Sequence, residues 1–141
     1  LVPLVADFVK VPIVAAGGIA DFRGYRAALA LGAQGVQIGT RFLASAESPA
    51  AEPWKQAILD CPDGGTGLIP LPNMKLAQRL ILTPWIQKRL SEAGLETVSA
   101  ELERNPAKIG SDERAALGAG QVGALIRDIK PIAQIIREMV S

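Results

Sequence analysis

The chain has 141 residues, 49% apolar and 21% charged, with a formal net charge of +1. That balance suits a globular chain with one core, gives no electrostatic case for nucleic acid, and contains no apolar run of the ~20 residues a membrane-spanning helix needs. Histidine is absent and Cys61 is the only cysteine, which excludes a histidine base, a histidine metal site, an internal disulfide and a cysteine zinc site from this chain.

Leu1-Val2-Pro3-Leu4 has neither a basic n-region nor a cleavage pattern. No targeting signal is therefore read, and the lone cysteine, expected to be a small core residue, fits a reducing, cytoplasmic setting. Val11-Pro12-Ile13-Val14-Ala15-Ala16 is a continuous apolar run of strand length ending in Gly17-Gly18, as expected of a parallel strand covered on both faces. Asp21 is placed to cap a helix from about Phe22 to Leu31, with Tyr25, Ala28 and Leu29 as its stripe and Gly32 as its stop. Residues 35–39 read as the next strand. A strand–helix–strand unit of this length implies a right-handed parallel crossover.

Ser48-Pro49 and Glu52-Pro53 both read as helix entries, with Trp54, Ala57 and Ile58 as the buried face. Residues 60–65, Asp-Cys-Pro-Asp-Gly-Gly, form the best internal boundary. One short strand is expected between Thr66 and Pro72, limited by Pro70 and Pro72. From Asn73 to Asn105 the spacing predicts helices: Met74, Ala77 and Ile81 on one face, then Ile86, Arg89, Leu90 and Ala93 after Thr83-Pro84 and up to Gly94. A short helix capped by Thr97 follows, carrying Val98 and Leu102 and ending before Asn105-Pro106. The mixed charges between Glu101 and Arg114 read as a solvated surface. Val122, Leu125, Ile126, Ile129, Ala133, Ile136 and Val140 keep helical spacing as a core stripe, broken at Lys130-Pro131.

Only two parallel strands emerge, and such a pair cannot bury both of its faces alone. A complete (β/α)₈ barrel needs ~250 residues. The pattern is that of an α/β chain and of the C-terminal part of a longer protein.

The two strand ends, Gly17-Gly18 and Gly39-Thr40, suggest a ligand class. Backbone N–H groups at neighbouring helix entrances converge on a phosphate, and glycine allows the close approach. Thr40 adds a hydroxyl donor, and Gln37, polar in an apolar strand, needs a partner. Three or four charge-assisted hydrogen bonds of ~1.5–3 kcal/mol each would hold a phosphate dianion at roughly micromolar affinity. Arg41 is read as a structural residue paired with Asp21 or Glu47 at the surface, ahead of a role on the anion.

The segments Val11-Pro12-Ile13-Val14-Ala15-Ala16-Gly17-Gly18-Ile19-Ala20-Asp21, Gly35-Val36-Gln37-Ile38-Gly39-Thr40-Arg41-Phe42 and Glu47-Ser48-Pro49-Ala50, with Gly118-Ala119-Gly120-Gln121 near the end, closely resemble the nitronate monooxygenase family. That family was formerly called 2-nitropropane dioxygenase and includes FMN-dependent enoyl-acyl-carrier-protein reductases. The resemblance implies a TIM barrel holding FMN non-covalently, with Gly17, Gly18, Gln37, Gly39 and Thr40 at its phosphate and the Gly120-Gln121 turn near the flavin or substrate. It implies that residues 1–61 are the last βα units of that TIM barrel, 62–118 a mainly helical lobe, and 119–141 helices packing back on the barrel. It implies a small-molecule substrate, a nitronate oxidised with oxygen or an enoyl thioester, with no metal; a homo-oligomer is left open. The family's histidine-bearing segment has no counterpart here, so no catalytic residue is assigned. Two other readings stand beside it: a phosphosugar isomerase or lyase barrel with Asp21 as its acid, and a fragment inactive by itself.

Overall fold

The computed structural model describes residues 1–71, 76–104 and 115–141. Pro3 opens α1 (Val2–Phe8), proline being suited to a first turn whose N–H groups have no helical acceptor. Strand β1 (Val14–Ala16) pairs in parallel with β2 (Gly35–Gln37), Val14 opposite Gly35 and Ala16 opposite Gln37. Between them runs α2 (Phe22–Ala30), capped by Asp21, whose carboxylate accepts from the backbone N–H of Arg23 at 2.9 Å and Gly24 at 3.3 Å. Gly32, at φ +100, turns the chain out of this helix. The Gln34 side chain then accepts from Ile13 N–H at 2.6 Å and donates to the Gly32 carbonyl at 2.8 Å, helping to set the register of the two strands.

After the four-residue α3 (Thr40–Leu43) the chain leaves this layer. It forms α4 (Glu52–Leu59), an antiparallel hairpin of β3 (Thr66–Leu71) and β4 (Leu76–Ile81), and α5 (Pro84–Arg104), which is broken at Gly94. A 3₁₀ turn (Gln121–Leu125) leads back to α6 (Ile132–Val140), which lies against α2. Exit and return are tied together: Ser45 and Lys130 form a parallel bridge, and Ala46 N–H donates to the Lys130 carbonyl at 3.0 Å. Both Glu47 carboxylate oxygens accept from Ile132 N–H.

Three apolar clusters result. Ala15, Ile19, Ala28, Ile135 and Met139 join β1, α2 and α6. Ala44, Ile58, Ile81, Leu117 and Ile126 join α4 to the returning segment. Ile69, Leu80, Ile86, Val98 and Leu102 join the hairpin to α5. Val14, in a parallel strand, is 59% exposed, so one face of the β1–β2 pair is open. Among the described residues no helix is long and apolar enough to cross a membrane.

Several expectations are corrected. The helix read through Ala77 and Ile81 is strand β4. A separation of four residues is even, so it also lands on one face of a strand, and hydrogen bonding to β3 decides between the two periods. The segment after residue 61 thus carries a hairpin as well as helix. Pro70 lies in β3, the outer strand, because β4's other neighbour is Gly118; an edge strand tolerates the missing donor. Ser48-Pro49 starts no helix. The Ser48 hydroxyl instead accepts from Ala50 N–H at 3.2 Å in a local turn. The two helices expected on either side of Gly94 are present, parted by that residue at φ +77, but Thr97 lies exposed inside the second instead of capping it.

The closing stripe holds at Val122 and Ile126, which are buried although Gln121–Leu125 is a 3₁₀ turn and not an α-helix, and it is rotated in α6. Ile135 and Met139 are buried while Ile136 and Val140 are 46% and 58% exposed. The helix is apolar across more than one stripe, and α2 covers only half of it. Met74, the Asn105-Pro106 stop and the charges at 105–114 lie outside the described residues.

Candidate functional site

The Gly17-Gly18 turn leaves β1 with φ +93 and +72, a left-handed conformation that glycine adopts without steric cost. Residue 39 follows β2 and caps α3. Because the strands are parallel and in register, their C-terminal ends open on the same side. Gly17, Gly18, Gln37, Gly39 and Thr40 accordingly line one cleft of about 280 Å³, together with Gly120 from the returning segment. All five residues expected at the site are therefore brought together. A Cβ added at residue 17, 18 or 39 would meet no atom within 4 Å, so it would stand in open volume that a ligand can use. Among the described residues no backbone carbonyl accepts from the N–H of Gly18 or Gly39.

Gly120 closes the cleft from the other side. Its N–H donates to Thr40 Oγ1 at 2.9 Å. Of the Gly120-Gln121 turn, Gly120 reaches the cleft and Gln121 is exposed outside its lining. None of the lining residues is charged, so polar groups and backbone dipoles supply the electrostatics.

Arg41 takes a different partner from those expected. It is buried to 6% exposure. One guanidinium nitrogen donates to Asp128 Oδ1 at 3.0 Å, the other to the carbonyls of Ala44 at 2.9 Å and Asp128 at 2.8 Å. Its Nε is buried with no partner among the described residues. Asp21 is engaged by Arg23 and Glu47 by Ile132, so neither is available to it. Sequence reasoning missed Asp128, because 87 positions separate the partners.

Asp21 lies outside the cleft lining. The Arg23 hydrogen bond holds its carboxyl below the usual carboxylate range, against the opposing effect of partial burial. A carboxyl so held is ionised at neutral pH and has no proton to donate, which counts against the isomerase or lyase reading. Burial pushes the Cys61 thiol up, with Arg127 opposing. Being 2% exposed, the cysteine is the core residue expected. Among the described residues no group of three or more Cys, Asp and Glu could hold a metal ion.

A second, shallow depression of about 640 Å³ meets the first at Gly39, Thr40 and Gly120 and is lined by Phe42, Leu43, Pro49, Ala119 and Ile132 together with Glu47, Ser48 and Arg79. Arg79 donates to the Thr66 carbonyl and hydroxyl at 3.2 Å. It was not foreseen, since its strand was read as helix.

The arrangement defines an α/β protein with a glycine-lined cleft at the carboxyl ends of adjacent parallel strands, the place where such folds bind ligands. The chain belongs to the nitronate monooxygenase family, a family of oxidoreductases whose model matches residues 1–141. It is 35% identical to a probable nitronate monooxygenase of Bacillus subtilis, covering 99% of this chain and 42% of that protein. Its fold is similar to FabK from Thermotoga maritima, with a TM-score of 0.80 and 37% identity over 99% of this chain and 46% of that one. It is similar too to a nitroalkane oxidase from Streptomyces ansochromogenes, with a TM-score of 0.75 and 30% identity over 99% of this chain and 41% of that one. The chain thus spans less than half the length of these proteins.

The cleft has the room and the glycine lining that a phosphate group would need. Ligand pockets for drug-sized molecules run ~300–1,000 Å³, so about 280 Å³ takes part of such a molecule. The uncrowded glycines leave room for close backbone approach.

Proposed function

We propose that the chain is the C-terminal part of a TIM barrel in an FMN-dependent oxidoreductase that oxidises nitronates with oxygen. The observation that carries this reading is the meeting of Gly17, Gly18, Gln37, Gly39 and Thr40 in one uncharged cleft. The open face at Val14 and the length of the relatives support the barrel assignment. FMN, when bound, supplies the redox chemistry.

The residues of this chain anchor and orient. The N–H groups of Gly18 and Gly39 and the Thr40 hydroxyl would hold the phosphate, and the Gln37 amide would serve as a further partner for the ligand. Arg41, committed to Asp128 and two carbonyls, braces α3 from behind. The reacting groups lie on the rest of the protein, so this chain alone is inactive. A second reading, an enoyl-acyl-carrier-protein reductase, uses the same grip.

Gly39→Ala tests the proposal in the full-length protein. Residue 39 sits at φ −103, where alanine incurs no left-handed strain, and its Cβ would meet no protein atom within 4 Å. Stability without ligand should stay within about 1 kcal/mol of wild type, while FMN affinity falls at least about tenfold, because the added Cβ keeps the phosphate from reaching the residue 39 N–H and forfeits that charge-assisted hydrogen bond. Oxygen uptake with alkyl nitronates, set against nicotinamide-driven reduction of enoyl thioesters, separates the two activities. A wild-type protein that retains no flavin would end the proposal.

A further inference from the structure

The Thr40 hydroxyl has one proton to donate and two acceptor positions. One acceptor position is taken by Gly120 N–H at 2.9 Å, and both residues line the small cleft. Gly120 has φ −74 and ψ 164, a conformation any residue adopts. Glycine is needed there for proximity, since a Cβ would stand 3.3 Å from Thr40 Oγ1. The segment that presents this N–H is held on both sides. Ala119 N–H donates to the Arg79 carbonyl at 3.2 Å and Gly123 N–H to the Gly120 carbonyl at 3.0 Å. Trp54 Nε1 donates to the Gly118 carbonyl at 3.0 Å.

We propose that Gly120 is a positioning residue. Its N–H fixes the Thr40 hydroxyl so that the remaining proton points into the cleft, toward an anionic oxygen. The inference rests on the reading of the cleft as an FMN phosphate site. It adds that the segment returning from the hairpin and α5 is coupled to the phosphate grip through this one bond. Linkage makes the coupling reciprocal: a phosphate that holds the hydroxyl in place also strengthens the Gly120 bond.

The test uses the full-length protein and two ligands, FMN and riboflavin, which lacks the phosphate. Gly120→Ala sets a Cβ 3.3 Å from Thr40 Oγ1 and pushes the hydroxyl off its bond; Thr40→Val removes the hydroxyl at nearly constant shape. Each should weaken FMN about tenfold and leave riboflavin unchanged, and Thr40→Ser should keep wild-type affinity. The double variant should be no worse than either single one, because both break the same unit. Multiplicative losses, or wild-type FMN affinity in Gly120→Ala, overturn the coupling while leaving the cofactor site intact. Failure of the wild type to bind FMN overturns the cofactor reading and this inference with it. Amide exchange at Gly120 in the unmodified protein needs no variant to fold: FMN should slow it severalfold and riboflavin should not. Equal exchange with the two ligands overturns the proposal.

Discussion

Replacing Arg41 by Met should be far more damaging than replacing its ionic partner Asp128 by Asn. Methionine keeps most of the apolar stem but leaves the Ala44 and Asp128 carbonyls without the guanidinium that serves them at 2.9 and 2.8 Å. Ala44 is fully buried, and an orphaned buried acceptor costs ~1–3 kcal/mol. The buried Ala44 acceptor and the part-buried Asp128 one, less the desolvation relieved by removing a buried charge, give up to about 3 kcal/mol.

Asp128 is different, because its side chain is 46% exposed. A solvent-screened pair contributes at most ~1 kcal/mol, and asparagine can still accept from Arg41. Urea unfolding at neutral pH measures both losses. The melting temperature should fall by roughly 6–12 °C for Arg41→Met and about 2–4 °C at most for Asp128→Asn.

The acid limb supplies a second check. Burial raises the Asp128 carboxyl, but Lys130 and Arg41 outweigh it and hold the group below its ordinary value. A depressed carboxyl adds stability above its unfolded pKa of ~3.9 and loses it as pH falls through the folded value. The gap between wild type and Asp128→Asn should therefore close below about pH 4, while the Arg41→Met gap persists. Equal losses at neutral pH, or an Arg41→Met gap that vanishes in acid, would show that the ion pair and not the carbonyl contacts fixes α3.

Other outcomes follow from single residues. Gly65→Ala places a Cβ 2.6 Å from Pro62 Cδ and 2.9 Å from its carbonyl oxygen and should cost ~2–3 kcal/mol. Neighbouring Gly64→Ala, in open space at φ +71, should cost only the ~1–2 kcal/mol of left-handed strain; chemical denaturation ranks the two. Cys61, buried with its thiol pushed up, should resist alkylation near pH 8 and react once the protein is unfolded, as mass spectrometry would report. FMN affinity should change about twofold at most between low and moderate salt, because the cleft lining is uncharged; a steep salt slope by fluorescence titration would point to a cation missing from this picture.

The sequence revealed the parts of this molecule that are set locally. Asp21 caps α2, Gly32 ends it, Gly94 breaks α5, and Gly17-Gly18 takes positive φ, each through chemistry confined to a few neighbouring residues. The parallel pair was legible because a short helix between two apolar runs leaves one sensible topology. Long-range choices were not legible. Nothing near Arg41 names Asp128, nothing in α6 says that α2 will cover Ile135 rather than Ile136, and even spacing cannot tell β4 from a helix. The glycine cleft was visible because each half follows a strand of its own, and its closure by Gly120 depends on where a distant segment returns.

The knot at Ser45 and Lys130 separates the excursion from the layer it leaves. With the two ends pinned beside each other, the chain between them can lengthen, shorten or be exchanged with only a slow rise in closure entropy, and α2 and α6 need not move. The excursion is thus a cassette on a fixed mount. Whatever stood in its place would have to keep three ties to that mount: acceptors for Arg41, an apolar face for Ala44 and one backbone donor for Thr40.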